Sequence, residues 1–196
     1  MHLNHILVAL SAFALFGCAT PSIPYKPTPY ENAVSTTSNL TANVVHVTGI
    51  VYGSGGMSIV PIGKGIFMPI SSGPYPHLQF NEEDQRIFVE SFRQELERLH
   101  LFKAATANSA ISQDAEIKVL FAQTFHNPNF QQYVLDVAMQ ISSQGKTFAN
   151  RYRVVSNEGD SWFEKMSTNA SEGKAKAGKK LMAALIADVE KWLASK

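Results

Sequence analysis

Between Ala115 and Val155 the chain alternates apolar and polar residues in three runs, each closed by turn residues, and that pattern constrains the fold more than any other stretch. In the first run, Ala115–Phe125, residues Ile117, Val119 and Phe121 share one face. After Asn127-Pro128-Asn129 the alternation resumes with Tyr133, Leu135, Val137, Met139 and Ile141, and after Ser143-Gln144-Gly145-Lys146 it continues from Phe148 to Val155. Side chains in a strand point alternately to opposite faces, so the runs predict an antiparallel meander with one apolar face. Asp136 and Arg151 fall on neighbouring strands and are expected to pair on the outer face, a contact worth little when exposed.

A sheet with one apolar face must be covered. Two amphipathic segments flank the meander. From Glu82 to about His100, Ile87, Phe88, Phe92, Leu96 and Leu99 recur at three- and four-residue steps, with Asn81 placed to cap and Glu82, Glu83 and Asp84 at the positive end of the helix dipole. Phe92 is expected to meet Leu135 in the core. The second segment, about Ser171 to Ala194, carries Leu181, Met182, Leu185, Ile186, Val189, Trp192 and Leu193. Its first half holds Lys174, Lys176, Lys179 and Lys180, read either as a solvated face or as a basic patch meeting phosphate-bearing lipid or glycan. Before it, the polar stretch Ser156–Ser167 includes Trp162 and Phe163, expected to latch the loop to the core.

Upstream, Asn43–Tyr52 is rich in β-branched residues and predicts a further strand containing His46. The fold class that results is α+β: a two-layer sandwich in the order β(β)-α-β-β-β-α, with an antiparallel sheet covered by two helices. A Gly-rich apolar insertion at about 53–74 interrupts it. Lys64 is its only charge, and Gly63-Lys64 is followed by Gly65 rather than by the Ser or Thr that a phosphate-binding loop requires. Two readings of the insertion stay open. It completes the sheet under a helix, or it forms a glycine-hinged hairpin, Met57–Ile62 with Gly65–Ile70, that offers Met57, Ile59, Ile62, Ile66, Phe67 and Met68 to a lipid or a partner.

The amino terminus sets the location. Ile6 to Gly17 is apolar or small except for Ser11, the length of a signal-peptide core and too short to span a bilayer as a helix. It ends at Leu15-Phe16-Gly17-Cys18, the last being the only cysteine in the chain. This resembles the lipobox of bacterial lipoprotein precursors, with His2 and His5 where lysine or arginine is usual and a bulky Phe16. The resemblance implies cleavage between Gly17 and Cys18, a thioether-linked diacylglycerol on the Cys18 sulfur and an acyl group such as palmitate on the new amino terminus. By the same analogy the absence of aspartate at Ala19 favours the outer membrane, with the domain facing the periplasm.

Pro21, Pro24, Pro27 and Pro29, followed by a Ser/Thr/Asn-rich run, predict an extended and then flexible tether through residue 42. The domain organisation is therefore a signal peptide over 1–17, the lipidated cysteine and tether over 18–42, and one domain over 43–196. With one cysteine no internal disulfide can form, and 17 basic against 16 acidic residues give no field to draw in nucleic acid.

In lipobox, tether and helix–meander–helix order the chain resembles a loose group of small envelope lipoproteins: the lipopolysaccharide-assembly lipoprotein, auxiliary lipoproteins of transport systems and activators of penicillin-binding proteins. The resemblance implies a non-catalytic accessory module that contacts an envelope protein complex, lipid or glycan and needs no cofactor. The alternative is an envelope hydrolase or another enzyme. No nucleophile elbow, free cysteine or metal-ligand spacing supports it, and His46, His77 and His126 stand without a recognisable catalytic partner in the sequence.

Overall fold

The computed structural model describes residues 22–47, 57–63, 66–71, 79–107, 113–127 and 131–196, and for 57–63 and 66–71 the backbone pairing alone. The α+β sandwich is present. Strands β1 (Thr41–Val47), β4 (Ala104–Thr106), β5 (Ala115–Asn127), β6 (Gln132–Ser143) and β7 (Lys146–Val155) form one sheet in the order β4-β1-β5-β6-β7. The meander β5-β6-β7 is antiparallel as expected. The other half of the sheet is not: β1 runs parallel to both β4 and β5, so the sheet is mixed. Parallel neighbours need a crossover, and helix α1 (Glu82–Arg98) supplies it between β1 and β4. β4 is too short for its alternation to have been legible in the sequence.

Register follows from the turn. Gln144 and Gly145, both at positive φ (49° and 76°), close a two-residue hairpin between Ser143 and Lys146. This sets Asp136 opposite Arg153, 3.8 Å away, and Arg151 opposite Ala138, which corrects the expected Asp136–Arg151 pair.

Two helices cover the inner face. α1 has the expected start, with the Asn81 side chain accepting from the Asp84 amide and the Asp84 carboxylate accepting from the Asn81 amide. α3 (Ala170–Ala194) is the long C-terminal helix. α1 packs over β1 and β4, and α3 over β6 and β7. Phe92 and Leu135 are both fully buried, but Leu135 lies in the half of the core that α3 covers. A short helix, α2 (Trp162–Ser167), stands where the sequence suggests a loop.

The tether expectation meets the largest correction. Residues 22–40 form no helix or strand, yet they lie along the helical layer as a strap. Tyr25 is 3% exposed, and Tyr30, Val34 and Leu40 pack against the core. The chain is held at intervals. The Tyr25 amide donates to Asp84 (2.7 Å), the Tyr30 amide to Glu95 (3.2 Å) and the Ser35 amide to Glu190 (2.8 Å), while the Ser38 amide donates to the His100 carbonyl (3.0 Å). Proline suits such a segment because it stays extended without asking for a ladder partner. The compact unit thus includes residues 22–40 and does not start at Asn43.

Strands β2 (Met57–Gly63) and β3 (Ile66–Ser71) pair antiparallel with one another in a separate two-stranded sheet. Of the two readings of the insertion, the pairing has the hairpin form, and the reading in which it completes the five-stranded sheet is corrected.

Candidate functional site

The two long helices begin at the same end of the molecule, and the described chain starts there too. Asp84 lies in the first turn of α1, one turn before Phe88 on the same stripe; Lys174 lies in the second turn of α3, seven residues before Leu181 on its stripe. Both charges are therefore carried inward. Lys174 Nζ meets Asp84 Oδ2 at 2.6 Å with neither side chain more than 2% exposed. The same ammonium donates to the Ile23 carbonyl at 2.6 Å, and the Asn81 amide group donates to the Ser22 hydroxyl at 3.0 Å. Burial pulls the Lys174 ammonium below the ordinary lysine range, against the opposing hydrogen bond and charge of Asp84. The pair is a clamp. It joins both helix starts to Ser22 and Ile23 of the strap.

The remaining lysines in the first half of α3 also have partners, which fits the solvated-face reading with local ion pairs better than the alternative of an open basic patch. Lys176 meets Asp160 (2.9 Å) and Glu172 (3.3 Å), Lys179 meets Glu31 (2.8 Å), and Lys180 donates to the Val155 and Glu158 carbonyls. The solvated-face reading fails for Lys174 alone.

Helix α2 is pinned at the same end. Asp160, two residues before it, is held by Lys176, and Thr168, just after it, is buried. Ser161 and Glu164 form a reciprocal cap. No residue of α2 is buried. Trp162 (62% exposed), Phe163 (78%) and Met166 (55%) face solvent, with the two rings edge to face at 5.3 Å. This reverses the latch expectation. An amphipathic stripe normally faces the core, but α2 sits outside it on a stalk fixed by Asp160 and Thr168.

The histidines read from the sequence take structural positions. His46 lies beside Gln85 (3.4 Å) and edge-on to Phe121. His126 is buried, 3.0 Å from the Gln131 amide oxygen and 4.6 Å between ring centres from Tyr133. Among the described residues no group of His, Cys, Asp or Glu could hold a metal ion. His77, Gly17 and Cys18 lie outside the described residues. Met57, Ile59, Ile62, Ile66, Phe67 and Met68 lie on the β2–β3 hairpin, where the pairing sets Ile59 opposite Pro69 and Val60 opposite Met68.

The outer face of the sheet carries a second feature that sequence reasoning missed. A shallow groove of about 580 Å³ is lined by Val47, Leu120, Ala138 and Ala149, with Lys118 and Arg151 beside them. The alanines make it concave: Ala138 and Ala149 fall at outward positions where larger residues would fill the pleat. Their outward register was legible, but their joint position on neighbouring strands was not.

No family model matches the chain, and no curated protein does. Two solved structures are similar in outline. One is an uncharacterised protein, 10% identical over 83% of this chain and 99% of that one, with a TM-score of 0.41. The other is a Xanthomonas campestris protein of the family DUF330, 10% identical over 88% of this chain and 95% of that one, also at 0.41. Both are uncharacterised neighbours, and likeness at this level carries no function across.

Proposed function

We propose that this chain is a lipid-anchored, non-catalytic accessory module of the bacterial outer membrane, with its domain in the periplasm. The observation that carries the reading is the closeness of Cys18 to the strap. Only Ala19, Thr20 and Pro21 separate the lipobox-like cysteine from Ser22, the first described residue. Four Cα steps of 3.8 Å limit Cys18 to about 15 Å from Ser22. An acylated Cys18 would hold the domain close to the bilayer, in place of the long stand-off that a free tether would give. Two or more acyl chains on one residue suffice for stable anchoring. The outer-sheet groove and the apolar hairpin are the surfaces such a module would offer to an envelope protein, lipid or glycan.

The test is at Cys18. In cells fed a labelled fatty acid, the natural chain should carry label and sediment with membranes, and Cys18→Ala should lose the label and accumulate as precursor or soluble protein. Labelled, membrane-bound Cys18→Ala protein would sink the reading.

A further inference from the structure

We infer that α2 is a membrane-interface foot: Trp162, Phe163 and Met166 enter the headgroup–acyl boundary of the same bilayer that holds the Cys18 lipid. The inference rests on the anchoring reading for its orientation, and on α2 itself for its chemistry. Three large apolar side chains at positions i, i+1 and i+4 share one face of a helix that buries none of its residues. A tryptophan beside a second aromatic ring is the composition that settles at membrane–water interfaces, where the rings meet the acyl boundary and polar tips stay wet.

The place of α2 selects the occupant. Lys174 holds the Ile23 carbonyl, and two residues on, about 3 Å further along α3, Lys176 holds Asp160 at the start of α2. The exit of the chain toward Cys18 and the stalk of α2 are therefore both fixed within one turn near the start of one helix, on different sides of it. With Cys18 no more than about 15 Å from Ser22, a lipid on that sulfur brings this end of the molecule, and the aromatic face with it, to the bilayer surface. Glu164 and Lys165 leave α2 without net charge, so the contact is carried by its three apolar side chains.

A chain beginning at Cys18 contains every residue of the described packing. Its single thiol allows coupling to a maleimide-headgroup lipid in phosphatidylethanolamine/phosphatidylglycerol vesicles. This supplies the anchor chemically, so the outcome does not depend on whether cells acylate Cys18; acylation is scored separately by fatty-acid labelling. The readout is tryptophan emission with lipids brominated on the acyl chains. Trp192 is buried and present in every variant, so the difference between the natural chain and Trp162→Ser isolates Trp162. Trp162 emission should shift to the blue on coupling and be quenched by bromines near the carbonyl end of the chains. Both effects should be lost in Trp162→Ser, and Phe163→Ser/Met166→Ser should weaken the quenching of Trp162 while leaving the circular dichroism unchanged. Trp162 emission that stays open to aqueous acrylamide and blind to the brominated lipids would overturn the inference. So would a blue shift that follows protein concentration without vesicles, which would assign the face to a second copy of the chain.

Discussion

At Lys174 and Asp84 a residue-scale choice governs three segments at once. The Asp84 carboxylate accepts from Lys174 Nζ, the Tyr25 amide and the Asn81 amide, so it fixes a buried cation, the strap and the start of α1 together. Isolating either charge leaves the other desolvated and unpaired. Lys174→Met and Asp84→Asn should each lower unfolding stability by about 3–5 kcal/mol, and the double substitution should cost clearly less than the sum. Urea unfolding of the four proteins checks this, and additive losses would show that the two charges are not coupled. Below the ordinary lysine pKa the sign of the pH effect is also set. The folded pKa of Lys174 lies under the unfolded one, so the unfolded chain binds more protons between the two values. The Lys174 contribution to stability therefore rises with pH through that window, and its slope should vanish in Lys174→Met. The signal for this pair was present in the sequence, since both charges fall in step with apolar stripes, but periodicity alone cannot say that two such charges meet.

At the scale of elements, the strap is held as much by a missing side chain as by its hydrogen bonds. Gly178 lies mid-helix in α3, and a Cβ there would stand 2.6 Å from Tyr25 Cζ. Gly173 does the same for the sheet, where a Cβ would stand 2.9 Å from the Tyr133 ring. Glycine costs a helix about 1 kcal/mol relative to alanine, so Gly178→Ala in an isolated helix would stabilise. Here it should destabilise, because it must lift the Tyr25 ring from its seat. In a Tyr25→Ala background, which itself should cost about 3–5 kcal/mol, the sign should reverse and Gly178→Ala should recover about 1 kcal/mol. Thermal melts of the four chains decide it. An unreversed loss would mean that Gly178 answers to some neighbour other than the strap. The prolines marked the strap as extended, but whether an extended chain docks or dangles depends on a groove built by two helices distant in sequence.

For the whole molecule, the mixed sheet and the separate β2–β3 hairpin assign different tasks to different regions. The hairpin pairs with itself, so replacing Gly53–Gly73 by a short Gly/Ser linker removes no strand from the five-stranded sheet. Its deletion should leave the melting temperature nearly unchanged and, on the proposal that the hairpin meets an envelope partner, abolish co-purification with any membrane protein that the intact chain recovers. A strong fall in melting temperature would return the hairpin to the core. The sequence by itself determined the meander, both long helices and the Asn81 cap. Each depends on a period or a cap read within a few residues, and local sterics are complete in the sequence. Only the tertiary structure decided the parallel placing of β1 between β4 and β5, the docking of the strap, the burial of Lys174 on Asp84 and the exposure of Trp162 and Phe163. Those outcomes turn on which apolar faces find one another across 50 or more residues. The energy that settles them belongs to surfaces that exist only once the elements have assembled.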